Sequence, residues 1–154
     1  MNFRLICLGK DKDAWLSAAI DEYIKRLRPF CKLEIIQLSD VSIKTTGSAE
    51  VVIQKEARLI EARLEADDFV ILLNENGEEK SSLEFSQFLS SISCNKRIVF
   101  VIGGVYGTSE QLKTRADKCL SLSRLTFTHR MARLILIEQI YRAMMILGGR
   151  SYHI

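Results

Sequence analysis

Arg97-Ile98-Val99-Phe100-Val101-Ile102-Gly103-Gly104-Val105-Tyr106-Gly107-Thr108-Ser109-Glu110-Gln111 is the stretch on which the fold turns. Its five consecutive apolar residues, Ile98 to Ile102, read as a strand covered on both faces, as in a parallel sheet. Glycines then let the chain turn tightly and let backbone approach a ligand closely. Thr108 reads as the N-cap of a following helix, with Gln111 three residues on as its capping-box partner. Strand, glycine turn and helix in succession are the repeating unit of an α/β protein.

The same alternation extends outward in both directions. Phe69–Leu73 is a second apolar strand, broken by Asn74-Glu75-Asn76-Gly77, and Ser81–Ile92 is a helix capped by Ser82. Before these come a strand at Phe3–Leu8 and a helix over Asp11–Leu27, with Trp15, Ala18, Ala19, Tyr23 and Leu27 as its apolar positions. That helix stops at Arg28-Pro29, because the residue before proline is driven out of the helical region. Leu33–Leu38 is a strand, Ser39–Ser48 a polar loop, and Ala49–Glu65 a helix packing through Val52, Ala57, Leu59, Ile60 and Leu64. After the glycine loop, Leu120–Phe127 reads as strand and loop. A last helix from about Arg130 to Leu147 ends at Gly148-Gly149. The expectation is one α/β domain over 1–154, a mostly parallel sheet flanked by helices. Ligands in such folds bind outside the carboxyl ends of the strands, which places the loops after Leu73 and Ile102 at the candidate site.

Composition narrows the function classes. The chain has 154 residues, 47% hydrophobic and 27% charged, and a single proline, so a folded core rather than disorder is expected. Neither an export signal nor a membrane span is written in it. Cys7, Cys31, Cys94 and Cys119 form no C-x-x-C pair, and the two histidines, His129 and His153, lack clustered ligands; free thiols in the cytoplasm and no metal are expected. Charge is uneven. Residues 1–110 carry 14 Lys/Arg and 17 Asp/Glu, a net of −3; residues 111–154 carry 8 and 2, a net of +6. A basic C-terminal third suits an anionic partner such as nucleic acid. The glycine loop lacks both the G-x-G-x-x-G spacing and the G-K-[ST] of phosphate loops, which argues against a nucleotide-phosphate site. The final helix is apolar nearly all round, so it needs cover on most sides, from its own core or from a second subunit.

Several short motifs in order then carry a resemblance across the whole chain. They are Val99 to Gly107, Leu120 to His129, Arg133, Glu138-Gln139-Ile140-Tyr141-Arg142-Ala143 and Tyr152-His153, with Gly9-Lys10 and Glu22-Tyr23-x-x-Arg26-Leu27 near the N-terminus. In these the chain resembles the bacterial RlmH family of SPOUT-class methyltransferases, which methylate N3 of a pseudouridine in 23S ribosomal RNA. The resemblance implies a C-terminal deep trefoil knot, a fold that is very rare and that periodicity cannot reveal. It implies S-adenosylmethionine as cofactor, held at Leu73, Gly103 and the loop Leu122, Ser123, Arg124, Leu125, Thr126 and Phe127. It implies a homodimer in which Tyr152 and His153 of one subunit's tail stand beside the cofactor of the other, with His153 a candidate base because it titrates near neutrality. Arg130, Arg133 and Arg150 are candidates for contact with RNA phosphates on the ribosome. The alternatives are a methyltransferase of the same class acting on another RNA such as tRNA, and a non-enzymatic ribosome-binding module.

Overall fold

A computed structural model describes residues 1–10 and 13–152. Five strands, β1 (Asn2–Leu8), β2 (Lys32–Leu38), β3 (Phe69–Glu79), β4 (Ile98–Ile102) and β5 (Lys118–Ser121), form one all-parallel sheet in the order β2-β1-β4-β3-β5. The helices are α1 (Ala14–Leu27), α2 (Ile43–Thr46), α3 (Ala49–Glu61), α4 (Ser82–Ser91), α5 (Glu110–Arg115) and α6 (His129–Leu147).

The period-two alternation of the strands builds a core on each face. Ile98, Phe100 and Ile102 of β4 join Phe3, Leu5 and Cys7 of β1 beneath α1, α4 and α6. Val99 and Val101, with Ile6, Leu8, Val70 and Leu72, pack on the other side against Ile60 of α3 and Leu112 of α5. All five residues of β4 are buried, as expected of a central parallel strand.

Several local details differ from the sequence expectations. The segment 39–48 contains the one-turn helix α2, capped by Ser42. Helix α1 buries Leu16, Ile20 and Leu27, so its inward stripe is rotated, and Trp15 lies on the outer side at 62% exposure. Leu59 of α3 also faces out, and its place on the buried stripe is taken by Glu56. Ser81, not Ser82, caps α4 in a complete capping box with Glu84; the Ser82 hydroxyl instead donates to Gln139 Oε1 at 2.8 Å, joining α4 to α6. Ser109 replaces Thr108 as cap of α5, accepting from the Leu112 amide at 3.1 Å.

The largest difference is in β3. The chain does not end its strand at Leu73: pairing with β5 holds from Ile71↔Lys118 to Leu73↔Leu120, then resumes at Glu78↔Leu120 and Glu79↔Ser121. Asn74 to Gly77 are therefore a bulge between two paired segments. Asn74 Oδ1 accepts from the Asn76 amide at 2.9 Å and holds the bend. A Cβ on Gly77 would stand 2.6 Å from the Leu120 backbone, so only glycine permits this approach.

Candidate cofactor cleft

The carboxyl ends of β3, β4 and β5 open into a cleft of about 760 Å³. Three segments wall it: Leu73 to Glu75 from the β3 bulge, Ile102 to Thr108 after β4, and Ser121 to His129 after β5, with Ala132 of α6 at the back. Each segment is shaped locally. Gly107 takes φ +94°, a left-handed conformation suited to glycine, and its amide donates to the Gly104 carbonyl at 3.2 Å, closing the loop on itself. In the third segment the Ser121 hydroxyl donates to the Ser123 carbonyl at 3.0 Å, and Ser123 Oγ accepts from the Leu125 amide at 3.0 Å. Thr128 then caps α6, accepting from the Met131 amide at 3.3 Å.

The lining is mainly apolar, with polar side chains at Asn74, Tyr106, Thr108, Ser121, Ser123, Thr126, Thr128 and His129. Among the described lining residues there is no lysine or arginine, and Glu75 is the one carboxylate. Such a surface suits a neutral or cationic ligand with flat apolar parts and disfavours a polyphosphate, which would need basic groups. The volume lies within the ~300–1,000 Å³ of small-molecule sites. Val105, Leu125 and Phe127 at its mouth are exposed, Val105 and Leu125 by more than 70%.

Leu73, Gly103, Leu122, Ser123, Leu125, Thr126 and Phe127 all line this cleft. Arg124 does not: its side chain is 89% exposed and lies 3.3 Å from Glu79, because the turn held by Ser123 sends it outward. Tyr152 is not in its own chain's cleft either. It packs edge-on against Tyr141 with ring centres 4.8 Å apart, with its hydroxyl 3.5 Å from that of Tyr23, and it donates to Glu138 Oε1 at 3.3 Å. The Arg142 guanidinium lies over its ring and also pairs with Glu138 at 2.7 Å. The hydrogen bond with Tyr23, then burial and the nearby Glu138 charge, push the Tyr152 phenol above its ordinary value of 10. Tyr152 is thus a hydrogen-bond donor near neutral pH and no proton acceptor. His153 lies outside the described residues.

Of the arginines, Arg130 pairs with Asp13, the residue before α1, at 3.1 Å, and Arg150 is exposed with its guanidinium over the Phe30 ring. Arg133 must be withdrawn as an RNA contact. It is 1% exposed, and its guanidinium donates to the carbonyls of Leu8 and Gly9, satisfying the carboxyl end of β1 from inside. Sequence reasoning also missed Glu56, a buried carboxyl behind the glycine loop. It reads as one of several charges on α3, and nothing local separates it from Glu50 or Glu61.

An open parallel sheet whose strand ends carry a glycine loop and two further backbone loops defines an α/β protein with a small-molecule cleft. Residues 1–153 match the family model described as "Predicted SPOUT methyltransferase". The chain is 42% identical over 158 residues to a Ribosomal RNA large subunit methyltransferase H of Clostridium botulinum (strain Kyoto / Type A2), and 43% identical over 155 residues to that of Dictyoglomus thermophilum. Both alignments cover 99% of each chain. In structure it resembles a chain titled "a probable methylase family protein from Haemophilus influenzae Rd KW20", with TM-score 0.53 and 12% identity over 96% of this chain and 66% of the other, a likeness of fold alone. The chain belongs to the RlmH family of SPOUT methyltransferases.

Proposed function

We propose that the chain is a ribosomal RNA methyltransferase that transfers a methyl group from S-adenosylmethionine to N3 of a pseudouridine in 23S RNA. It acts as a single-domain homodimer on assembled ribosomes in the cytoplasm. The observation that carries this reading is the cleft: three backbone loops around a largely apolar space lined by no lysine or arginine among the described residues, in a chain whose full-length relatives are named for large-subunit RNA methylation. A sulfonium cation and an adenosine suit that lining better than a phosphate does. The same reading makes these three segments the loops of a deep trefoil knot; its support is their convergence from positions near 74, 104 and 125 onto one cleft.

When bound, S-adenosylmethionine supplies a methyl group already activated by its sulfonium. The chain's task is then alignment and water exclusion, and well-held geometry can remove ~7–11 kcal/mol of barrier. Leu73, Gly103, Leu122, Ser123, Leu125, Thr126 and Phe127 hold the cofactor through backbone and apolar contact. Arg124, turned outward, acts at most through its backbone. Tyr152, kept protonated, steers the tail and donates a hydrogen bond, and His153 is the group that takes the acceptor nitrogen's proton. Because Tyr152 sits beside α1 and α6 of its own chain, its tail serves the partner's cleft in the dimer. Arg130 and Arg150 meet RNA phosphates.

The test is transfer of labelled methyl from S-adenosylmethionine to ribosomes lacking the modification, with protein-free ribosomal RNA and tRNA in parallel. Label in large-subunit RNA of whole ribosomes is expected. Label in tRNA alone would move the substrate to the other RNA class, and no label with a saturable ribosome complex would leave a binding module. No helix among the described residues is long and apolar enough to cross a membrane, and no group of three His, Cys, Asp or Glu among them could hold a metal.

A further inference from the structure

Behind the glycine loop, on the side away from the cleft, lies a second, very small cavity of about 10 Å³. Glu56, Gly103, Gly104, Gly107 and Thr108 are among the residues that line it. Glu56 reaches it from α3 and is 5% exposed. Its Oε1 accepts from the Val41 amide at 3.4 Å, but its Oε2 has no hydrogen-bond partner among the described residues. Oε2 rests directly against Gly104: a Cβ there would collide with it. Thr108 Oγ1 is buried and equally without a partner, while the Thr108 methyl fills the space where a Gly103 side chain would be, at 2.5 Å.

Two buried oxygens without partners on one small cavity are a costly arrangement unless something bridges them. A buried polar atom left unsatisfied costs about 1–3 kcal/mol. A cavity of ~10–15 Å³ with polar walls admits one water molecule, and such waters typically make about three hydrogen bonds. The cavity has room for one water and, among otherwise largely apolar walls, offers it these two oxygens as partners. It is also shared by the two elements that must keep a fixed spacing, helix α3 and the loop whose other side forms the cleft.

We propose that Glu56 is a positioning residue for the methyl-donor site: one internal water, hydrogen-bonded to Glu56 Oε2 and Thr108 Oγ1, ties α3 to the back of the Gly103–Gly107 loop and holds the loop's cleft face in place. The link from loop position to methyl donor rests on the function proposed above; the tie itself does not. Glu56 touches neither ligand nor reacting atoms, so its effect falls on cofactor binding and not on the chemical step.

Three variants test this in the full chain. Glu56→Met keeps the shape and removes both oxygens, Thr108→Val removes the second partner, and Glu56→Gln keeps polar atoms at both positions. Glu56→Met and Thr108→Val are expected to raise the KM for S-adenosylmethionine about tenfold, the scale of one lost buried hydrogen bond, and for Glu56→Met, which lies outside the cleft wall, kcat is expected to be unchanged. Amide hydrogen exchange over residues 103–108 should quicken in both without cofactor, and Glu56→Gln should restore wild-type values in both assays. A crystal structure should show the water. Wild-type exchange and KM in Glu56→Met overturn the proposal, as does an empty cavity in a high-resolution structure. If Glu56→Met does not fold, Thr108→Val decides by the same readouts. If the wild-type protein binds no S-adenosylmethionine, the proposed function falls, while the exchange data still decide whether Glu56 holds the loop.

Discussion

At the scale of single residues, two buried charged groups do unlike work. Arg133 donates to the Leu8 and Gly9 carbonyls at the carboxyl end of β1. Arg133→Met is therefore expected to lower unfolding free energy by about 2–4 kcal/mol in urea titration, through the carbonyls left buried and unpaired. A loss under 1 kcal/mol would deny it that role. Glu56 is the opposite case. Burial pushes its carboxyl above the ordinary value of 4.5; the Val41 amide bond opposes this, and Asp40 adds to it. The folded state then holds the proton more tightly than the unfolded one. The stability that Glu56 contributes is fully present below 4.5 and is lost as pH climbs through the raised folded value. Glu56→Gln has no such proton, so thermal melts between about pH 4 and 7 should show wild type losing ground to the variant as pH rises. Parallel curves would place the carboxyl back in its ordinary range.

At the scale of elements, the sheet was legible and its decorations were not. Ile98–Ile102 and Phe69–Leu73 are apolar without interruption, and that pattern has one reading in a chain of alternating units. Residues 74–77 carry every mark of a turn, yet the strand resumes after them, because pairing with β5, some forty residues on, outweighs local turn chemistry. Gly77→Ala tests the balance. Its Cβ would press on the Leu120 backbone, prising β3 from β5 at a cost of about 1–3 kcal/mol and spoiling the adjoining cleft wall. Unchanged stability and cofactor affinity would show that the bulge yields freely. The phase of α1 was misread because Trp15 weighs heavily as an apolar residue, whereas Leu16, Ile20 and Leu27 form the stripe that meets the core. The cleft loops were found because their position follows from strand ends. The roles of Glu56 and Arg133 were not legible, because their partners, Val41 and Leu8, lie 15 and 125 residues away.

At the scale of the whole molecule, the cleft and the surface that would meet RNA are separate in character. The described lining holds no lysine or arginine, while Arg124, Arg130 and Arg150 lie outside it. Ribosome affinity should therefore respond to salt, and cofactor affinity should not. Arg130→Ala and Arg150→Ala are each expected to lower the slope of log K against log salt by about 1 in ribosome binding, with the KM for cofactor unmoved. Slopes identical to wild type would place the RNA on another face. The bond from Arg133 to β1 has one more consequence, for the chain as it is made. Residues 124 and 125 positions apart must meet before the first strand is complete. At the usual pace of ~5–20 residues per second, the opening strand waits roughly 6–25 s after it leaves the ribosome for the helix that closes it. Until then the nascent chain has a half-made core. A message truncated before α6 yields a product for proteases rather than a shortened enzyme.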